Sequence, residues 1–352
     1  MKVYETSGDS LQNTKYAQIV DESMMIGSEK LLLTLGVPAK HKGRPLHSND
    51  VNILNIAVAN SWNAEAVGAQ LKTASKKVGH DPRYVISDNA SIMAKGIRDV
   101  GLRHQRDISH SLGMFLERTY KNEPDFKNYI QLMTEPKFKY NMKKIAYLLP
   151  PKQRTIARFI NISGWVKWSS KMLDVYHSLQ EEERAVFSFV PANASLIDEL
   201  SEVTKCVKSI EDICKNKGLS KETVAACQQK IIRDLFRGSD RMIQLGETIY
   251  KFLHDEVKLI GADTAHNNSS DIIESLFGKY KARKSPNKLH GITPFILFMP
   301  LYTMLCKNTK NKFDFKKALE DTRIRQIEIW KKENLTPNLM QLRTDCLKNA
   351  AA

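Results

Sequence analysis

Acidic residues are in short supply in this sequence. Its 39 Asp and Glu residues stand against 54 Lys and Arg residues, which leaves a formal charge of +15. Such an excess favours a polyanionic partner, and nucleic acid is the leading candidate. Cysteine is also scarce, since the five cysteines are scattered and form no CxxC pair. No disulfide framework is expected, and the thiols are predicted to be reduced.

Long apolar runs are absent as well. The first 15 residues, MKVYETSGDSLQNTK, contain no apolar core of a signal peptide. The longest apolar run, residues 292–305, is too short to span a bilayer and is interrupted by proline. We therefore expect no membrane partner. The expected location is the cytoplasm, in association with the nucleoid, if the source is prokaryotic, and the nucleus if it is eukaryotic.

The first 112 residues have the rhythm of an α/β domain. Alternating or continuous apolar runs predict strands at residues 16–26, 30–35, 51–58, 84–86 and 103–108. Apolar spacings of three and four predict helices at 64–78, with Asn63 as cap and Gly79 as stop, and at 92–100, with Asn89 as cap and Gly101 as stop. The order predicts a mixed sheet with flanking helices, in which the first and fourth strands are neighbours.

The character of the chain changes at about residue 113, where glycines and strand-like alternation become scarce. We predict a leader at 1–15, the first part of an α/β core at 16–112, an all-α insertion at 113–262, and completion of the core with C-terminal helices at 263–352. No internal repeat, low-complexity tract or glycine-rich phosphate loop interrupts this plan.

A basic window lies inside the predicted insertion. Residues 136–173 contain nine Lys or Arg and no acidic residue, with six aromatic residues interleaved. This mixture is typical of surfaces that contact both phosphates and unstacked bases. The predicted DNA contacts in the window are Lys143, Lys144, Lys152 and Arg154, with Trp165 or Trp168 as a stacking ring. The alternative is a helical core that buries the aromatics beneath a basic, solvated face.

Carboxylates mark the predicted strand ends. Asp88 lies two residues after the apolar run Tyr84-Val85-Ile86, and Asp21 lies in the first strand. Because open α/β sheets place their chemistry at the carboxyl ends of strands, we expect these two side chains to face one another. A close pair of carboxylates is costly unless a cation holds it, and oxygen ligands suit Mg²⁺ or Mn²⁺.

Glu274 is the best candidate for a third carboxylate. It opens a predicted helix, and Lys281 lies seven residues on, two turns along the same face. Lys281, Arg283 and Lys284 belong to a dense basic run that is predicted to bind DNA. The alternative gives Glu274 a capping role, as the third residue of a helix that has Asp271 as its N-cap.

These residues resemble a known family. The strand order with Asp21, Asp88 and a distant Glu274 resembles the RNase H-like catalytic core of DDE transposases, and the Glu274 to Lys281 spacing is similar to an E-x6-K motif of bacterial insertion-sequence transposases. The run Asp107-Ile-Ser-His110 resembles the C/D-x2-H motif of hAT and Mutator transposases, which also carry a helical insertion. His110 has the alternative of a core or helix-capping histidine; a zinc site is not expected, because no second ligand pair has metal spacing.

The resemblance implies a two-metal DNA strand transferase. Asp21 would bridge two Mg²⁺ or Mn²⁺ ions, and Asp88 and Glu274 would each hold one, with Asp107 and His110 supporting them from outside the ligand set. One ion would activate water and later a DNA 3′-hydroxyl, while the other would stabilise the leaving oxygen. The implied partners are the ends of a mobile element, target DNA and further copies of the chain assembled on that DNA.

The chain departs from the family pattern at its front, where about 15 residues precede the first strand. Such transposases usually carry an end-reading helix-turn-helix or zinc module there, so a truncated copy, a fragment, or recognition through the insertion are all open. Two other functions also stay open: an RNase H-like structure-selective nuclease, and a transposase-derived DNA-binding protein without catalytic activity.

Overall fold

The computed structural model describes residues 1–23, 25–151, 162–260, 264–307 and 314–350. The chain divides into two compact units. The first unit comprises Met1–Asp107 and Leu259–Ala352, and the second comprises Ile108–Lys258. The second unit therefore begins and ends a few residues before the interruption that composition predicts at 113–262.

The described part of the first unit contains one five-stranded sheet. Its strands are β1 (Tyr16–Glu22), β2 (Lys30–Pro38), β3 (Asn52–Ala59), β4 (Val85–Ser87) and β5 (His104–Arg106). Their order across the sheet is β3-β2-β1-β4-β5. The pairs β1–β2 and β2–β3 are antiparallel, and β1–β4 and β4–β5 are parallel. The predicted mixed sheet, with its first and fourth strands adjacent, is confirmed.

Several predicted strand boundaries were wrong, two strands ending earlier than predicted and one ending later. The strand predicted at 16–26 ends at Glu22, and Ile26 instead pairs with Glu29 across a turn in which Gly27 has a φ of 68°. The second strand runs on to Pro38. The fifth ends at Arg106, because α4 begins at Ile108 and leaves only Asp107 between the strand and the helix.

Two helices cover one face of the sheet, α2 (Ala64–Val78) and α3 (Ser91–Asp99). The start and stop signals of α2 are confirmed, since Asn63 Oδ1 accepts from the N–H of Ala66 and Gly79 is left-handed with a φ of 94°. The predicted cap of α3 was wrong. Its N-cap is Ala90, without a side-chain bond, and the carboxylate of Asp88 accepts the N–H of Ala90.

The other face of the sheet packs against α12 (Asp271–Arg283). The hydrophobic core between the sheet and α12 contains Ile19 and Ile86 from the sheet and Ile273 and Phe277 from the helix. The remaining helices of this unit are α1 (Lys2–Glu5), α13 (Met299–Met304), α14 (Phe315–Glu320), α15 (Ile324–Asn334) and α16 (Leu339–Ala350). The segment predicted as a leader belongs to this unit, where the hydroxyl of Tyr4 donates to Asn55 Oδ1 at 3.1 Å.

Every regular element among the described residues of the second unit is helical. The α-helices are α4 (Ile108–Tyr120), α5 (Pro124–Tyr140), α6 (Ser163–Val175), α7 (Glu181–Val186), α8 (Phe189–Ala192), α9 (Ala194–Lys217), α10 (Lys221–Asp234) and α11 (Asp240–Ile260). Across the described ranges, none of the helices has both the length and the apolar character to cross a membrane. All five cysteines are free thiols, as predicted.

Candidate active site

The sheet brings Asp21 and Asp88 to neighbouring strand ends. The parallel β1–β4 ladder pairs Gln18 with Val85 and Ile19 with Ile86, and the same register continued by two residues places Asp21 beside Asp88. Adjacent strands lie about 4.8 Å apart. Because side chains alternate along a strand, Asp21 shares the face of Ile19, and Asp88 shares that of Ile86 when its strand direction is continued. Both isoleucines belong to the core beneath α12.

Local backbone donors orient both carboxylates. Asp21 Oδ1 accepts the N–H of Glu22 at 2.8 Å, and Asp88 Oδ1 accepts the N–H of Ala90 at 3.0 Å. Both side chains are half-buried. An aspartate that bonds the amide two residues ahead forms a local turn, which explains why β4 stops just before Asp88.

A buried carboxylate fixes the start of α12. Asp107 is fully buried, and its Oδ2 accepts both the N–H of Ser270, at 2.6 Å, and the hydroxyl of Ser270, at 2.9 Å. Ser270 is the N-cap of α12 and Asp271 its first residue. Glu274 is therefore the fourth residue of the helix, so the capping alternative that requires Asp271 as N-cap was wrong.

Lys281 links α12 to the strand ends. Burial lowers the pKa of Lys281, whereas the nearby charge of Asp21 raises it, so the ammonium lies within electrostatic reach of that carboxylate. Glu274 precedes Lys281 by two helical turns and shares its side of the helix. The rest of the predicted basic run points elsewhere: the guanidinium of Arg283 stacks on Tyr302 at 5.2 Å, and Lys284 donates to the carbonyl of Ser285.

His104 is a neighbour of Asp88 that the sequence did not reveal. Burial, together with the charges of Arg106 and Arg98, lowers the pKa of His104 to about 4, while the charge of Asp88 acts in the opposite direction. Its Nε2 lies 2.8 Å from the hydroxyl of Ser87. The histidine is thus neutral at physiological pH. The position of His104 beside Ser87 depends on the register of β5 against β4, which no local sequence pattern encodes.

The donor set of the strand ends fits a hard divalent cation. Asp21 and Asp88 provide carboxylate oxygens on one face, and Mg²⁺ and Mn²⁺ prefer such ligands. Within the described ranges, no three His, Cys, Asp or Glu side chains already converge closely enough to hold a metal ion. The predicted third ligand, Glu274, lies on α12, the helix that packs against this face of the sheet, and its approach to Asp21 and Asp88 stays a prediction.

The D-x-x-H run lies across the boundary of the two units. Asp107 is the last residue of the first unit, where it anchors α12, and His110 lies in the first turn of α4, in the second unit. Asp107 therefore positions the helix that carries Glu274. A supporting role for His110 stays a prediction.

The described part of the basic window contains an exposed segment, residues 138–147, which we call the basic tip. Phe138 is 89% exposed and Tyr147 74% exposed, and Lys143 and Lys144 are exposed beside them. The ammonium of Lys143 lies over the ring of Tyr140 at 5.0 Å. Lys152 and Arg154 fall outside the described residues.

The two tryptophans of the window are committed to packing. Trp165 is 3% exposed, and its Nε1 donates to the carbonyl of Pro151 at 2.9 Å. Trp168 donates to the carbonyl of Leu148 and packs edge-on against Phe187. Trp165 is buried and Trp168 is half-buried, and both indole N–H groups are already bonded to backbone carbonyls, which argues against the predicted stacking role. The exposed rings of the basic tip are better placed for one.

No protein-family model matches this chain, and no curated protein matches it. Its function is therefore inferred from the arrangement of its own residues.

Proposed function

We propose that this chain is a DDE transposase, a divalent-metal-dependent DNA strand transferase with Asp21, Asp88 and Glu274 as its catalytic carboxylates. The observation that supports the proposal is the parallel β1–β4 register, in which Ile19 pairs with Ile86, so that the same register extended by two residues would align Asp21 with Asp88. The strand order and the helical unit that follows β5 support the resemblance to an RNase H-like core with an insertion.

Each residue of the site has a distinct task in this proposal. Asp21, Asp88 and Glu274 would together hold two Mg²⁺ or Mn²⁺ ions, with Asp21 as the ligand that the two ions would share. When bound, such a pair supplies an activated attacking oxygen and a stabilised leaving oxygen for in-line phosphodiester displacement. Lys281 balances the charge of Asp21 and contacts a DNA phosphate. Asp107 holds the start of α12, so that Glu274 reaches the strand ends in a fixed orientation.

DNA binding is assigned to separate surfaces. The lysines of the basic tip contact the phosphate backbone, which provides affinity for any sequence. The exposed rings of Phe138 and Tyr147 contact bases where the duplex opens, since aromatic faces stack on bases without sequence preference. We further propose that the active form is a homo-oligomer on the DNA, with the ends of a mobile element and a target as its substrates.

The experiment uses a supercoiled plasmid that carries the genomic segments flanking the coding sequence. The purified full chain is incubated with it and Mg²⁺ or Mn²⁺, together with a labelled duplex that ends in a 3′-hydroxyl. We expect nicking and covalent joining of the label, both lost in Asp88→Asn. Nicking without joining would assign the nuclease function, and binding without nicking would assign the inactive DNA-binding function; either result contradicts the proposal.

Glu22→Gln is the matched control. Glu22 follows Asp21 directly but lies on the opposite face of the strand, and its carboxylate pairs with Lys30 at 2.8 Å. This variant keeps full nicking activity if the reaction depends on the face covered by α12. A loss equal to that of Asp88→Asn would show that any acidic residue at the strand end suffices, and it would remove the assignment of Asp21.

A further inference from the structure

A hydrogen-bond relay runs from His104 to the backbone of Asp88. The hydroxyl of Ser87 donates to the carbonyl oxygen of Asp88 at 3.0 Å, and His104 Nε2 lies 2.8 Å from the same hydroxyl oxygen. A serine hydroxyl carries one hydrogen, which is used in the bond to Asp88. The ring must therefore donate from Nε2, and this requirement fixes the tautomer of His104.

The relay is anchored on all sides. Ser87 is fully buried, and its own carbonyl accepts the N–H of Asp107 at 2.8 Å. His104 starts β5 opposite Val85, so its ring reaches along the sheet to Ser87. A buried side-chain network that is fully satisfied is rigid, because each member loses a bond if any other member moves.

The hydrogen bonds of the relay restrict the orientation of the Asp88 carboxylate. Its peptide is held from one side by Ser87, and its Oδ1 is held from the other by the N–H of Ala90 at 3.0 Å. With both the backbone and one carboxylate oxygen fixed, the direction of the carboxylate relative to β1 is set before any ligand arrives. Pre-orientation of this kind raises metal affinity, because less conformational freedom is lost on binding.

We propose that His104, acting through Ser87, is the positioning residue for the metal-binding carboxylate of Asp88. This inference rests on the proposed function, since it takes Asp88 as a metal ligand. It adds a residue that touches neither metal nor DNA and is joined to the site by two hydrogen bonds. Within the carboxylate pair, the relay acts on Asp88 and not on Asp21.

The test measures Mn²⁺ binding by electron paramagnetic resonance titration of the full chain without DNA. His104→Phe keeps a planar aromatic ring and removes the N–H donor, and we expect Mn²⁺ affinity to fall about 10- to 100-fold, the usual range for outer-shell partners. Ser87→Ala should fall by a similar factor. The double variant should fall no further than either single variant, because both changes break one relay.

Rescue and control variants separate positioning from general destabilisation. His104→Gln places an amide N–H near the position of Nε2, so its affinity should return toward that of the wild type. His80→Phe is the control: His80 bonds the carbonyls of Asp81 and Leu11, and its ring packs on Tyr16, away from the carboxyl end of β4. We expect wild-type Mn²⁺ affinity for His80→Phe.

Failure of the inference is distinguishable from failure of the proposed function. If Asp88→Asn loses Mn²⁺ binding while His104→Phe and Ser87→Ala bind as the wild type does, the relay has no positioning role. Additive losses in the double variant, or no recovery in His104→Gln, would also overturn the relay. If the wild type itself does not bind Mn²⁺, both the relay and the metal site are wrong.

Discussion

The strand ends of the first unit and the basic tip of the second differ in how firmly their side chains are held. Asp88 is tied to the backbone N–H of Ala90 and Asp107 to the buried backbone N–H of Ser270, whereas Phe138 and Lys144 extend into solvent. Fixed carboxylates suit chemistry, in which angstrom-scale errors are costly. Mobile cations suit the phosphate backbone, which they attract over several ångströms. The difference teaches that the proposed catalytic residues and the proposed DNA-binding surface can be tested separately.

Loss of a site carboxylate should have the largest effect and should separate the two regions most clearly. Asp21→Asn, Asp88→Asn and Glu274→Gln each remove a charge that the metal ions require. We expect strand cleavage to fall by more than the roughly 100-fold typical of outer-shell changes. DNA affinity should stay near that of the wild type, because the basic tip is untouched. Nicking rates test the expected loss of cleavage, and filter-binding affinities of the same preparations test the expected retention of DNA binding.

Asp271→Asn is the control for Glu274→Gln, since Asp271 begins α12 but lies three residues before Glu274. We expect it to nick DNA at the wild-type rate. Full activity in Glu274→Gln, or a parallel loss of DNA binding in all three variants, would break the separation between the two regions.

The second unit has a buried charge of its own, at Glu211 in α9. Burial favours the neutral form of Glu211, but hydrogen bonds from Lys215, Ser109 and Lys208 outweigh it and lower the pKa to about 2 from the ordinary 4.5. Because the pKa of Glu211 is lower in the folded state than in the unfolded state, its charged form stabilises the fold. This contribution is complete above about pH 4.5 and is lost as the pH falls through about 2.

Glu211→Gln should therefore cost about 2 to 3 kcal/mol of unfolding free energy at pH 7. The difference from the wild type should shrink as the pH falls from 4.5 toward 2. Urea unfolding across this range measures it. Asp212→Asn is the control, because Asp212 is half exposed and pairs with Lys208 at the surface. A pH-independent difference would show that packing, and not charge, is lost.

Anchoring of α12 should have a somewhat smaller effect, confined to the first unit. Asp107→Asn exchanges a charged acceptor for a neutral one at the N–H and hydroxyl of Ser270, and bonds to charged groups contribute about 2 kcal/mol. We expect a loss of that size in urea unfolding. Ser269→Ala, which removes an exposed acceptor of the Asp271 N–H, should cost far less. Equal losses would contradict the anchoring role of Asp107.

The basic tip should give the smallest effect and leave the strand ends unchanged. Lys143→Ala with Lys144→Ala should weaken binding to any DNA sequence by about tenfold, or about 1.4 kcal/mol. The slope of log affinity against log salt should flatten by roughly 0.9 for each phosphate contact removed. Lys121→Ala with Lys127→Ala, two exposed lysines of the same unit, is the control. An unchanged slope would assign the tip to a solvated face.

The sequence predicted the parts of the fold that depend on local pattern. Alternating apolar residues gave the five strands, and the Asn63 cap with Gly79 gave both ends of α2. It also predicted that the first and fourth strands would be neighbours, which the strand order confirms; the meeting of Asp21 and Asp88 stays a prediction. Strand ends were less accurate, since turn geometry at Gly27 and the bond from Asp107 to Ser87 are set by tertiary contacts.

Other parts of the site could not be predicted, because they depend on register and burial. The relay through Ser87 requires β5 to place His104 beside β4, which no local pattern encodes. The N-cap of α12 is Ser270 and not the predicted Asp271, because Asp107, 163 positions earlier, accepts the backbone N–H of Ser270. Phe138 is exposed and Trp165 is buried, although both lie in the same basic window, and the sequence does not show which of the two is accessible to a base.

The central claim is that Asp21, Asp88 and Glu274 form one metal site. A crystal structure of the chain soaked in Mn²⁺, with anomalous scattering to locate the metal, tests it most directly. We predict a strong anomalous peak at the carboxyl ends of β1 and β4, with oxygens of Asp21 and Asp88 about 2.1 Å away and Glu274 turned toward it. A peak elsewhere, or a peak that Glu274 does not approach, would contradict the account.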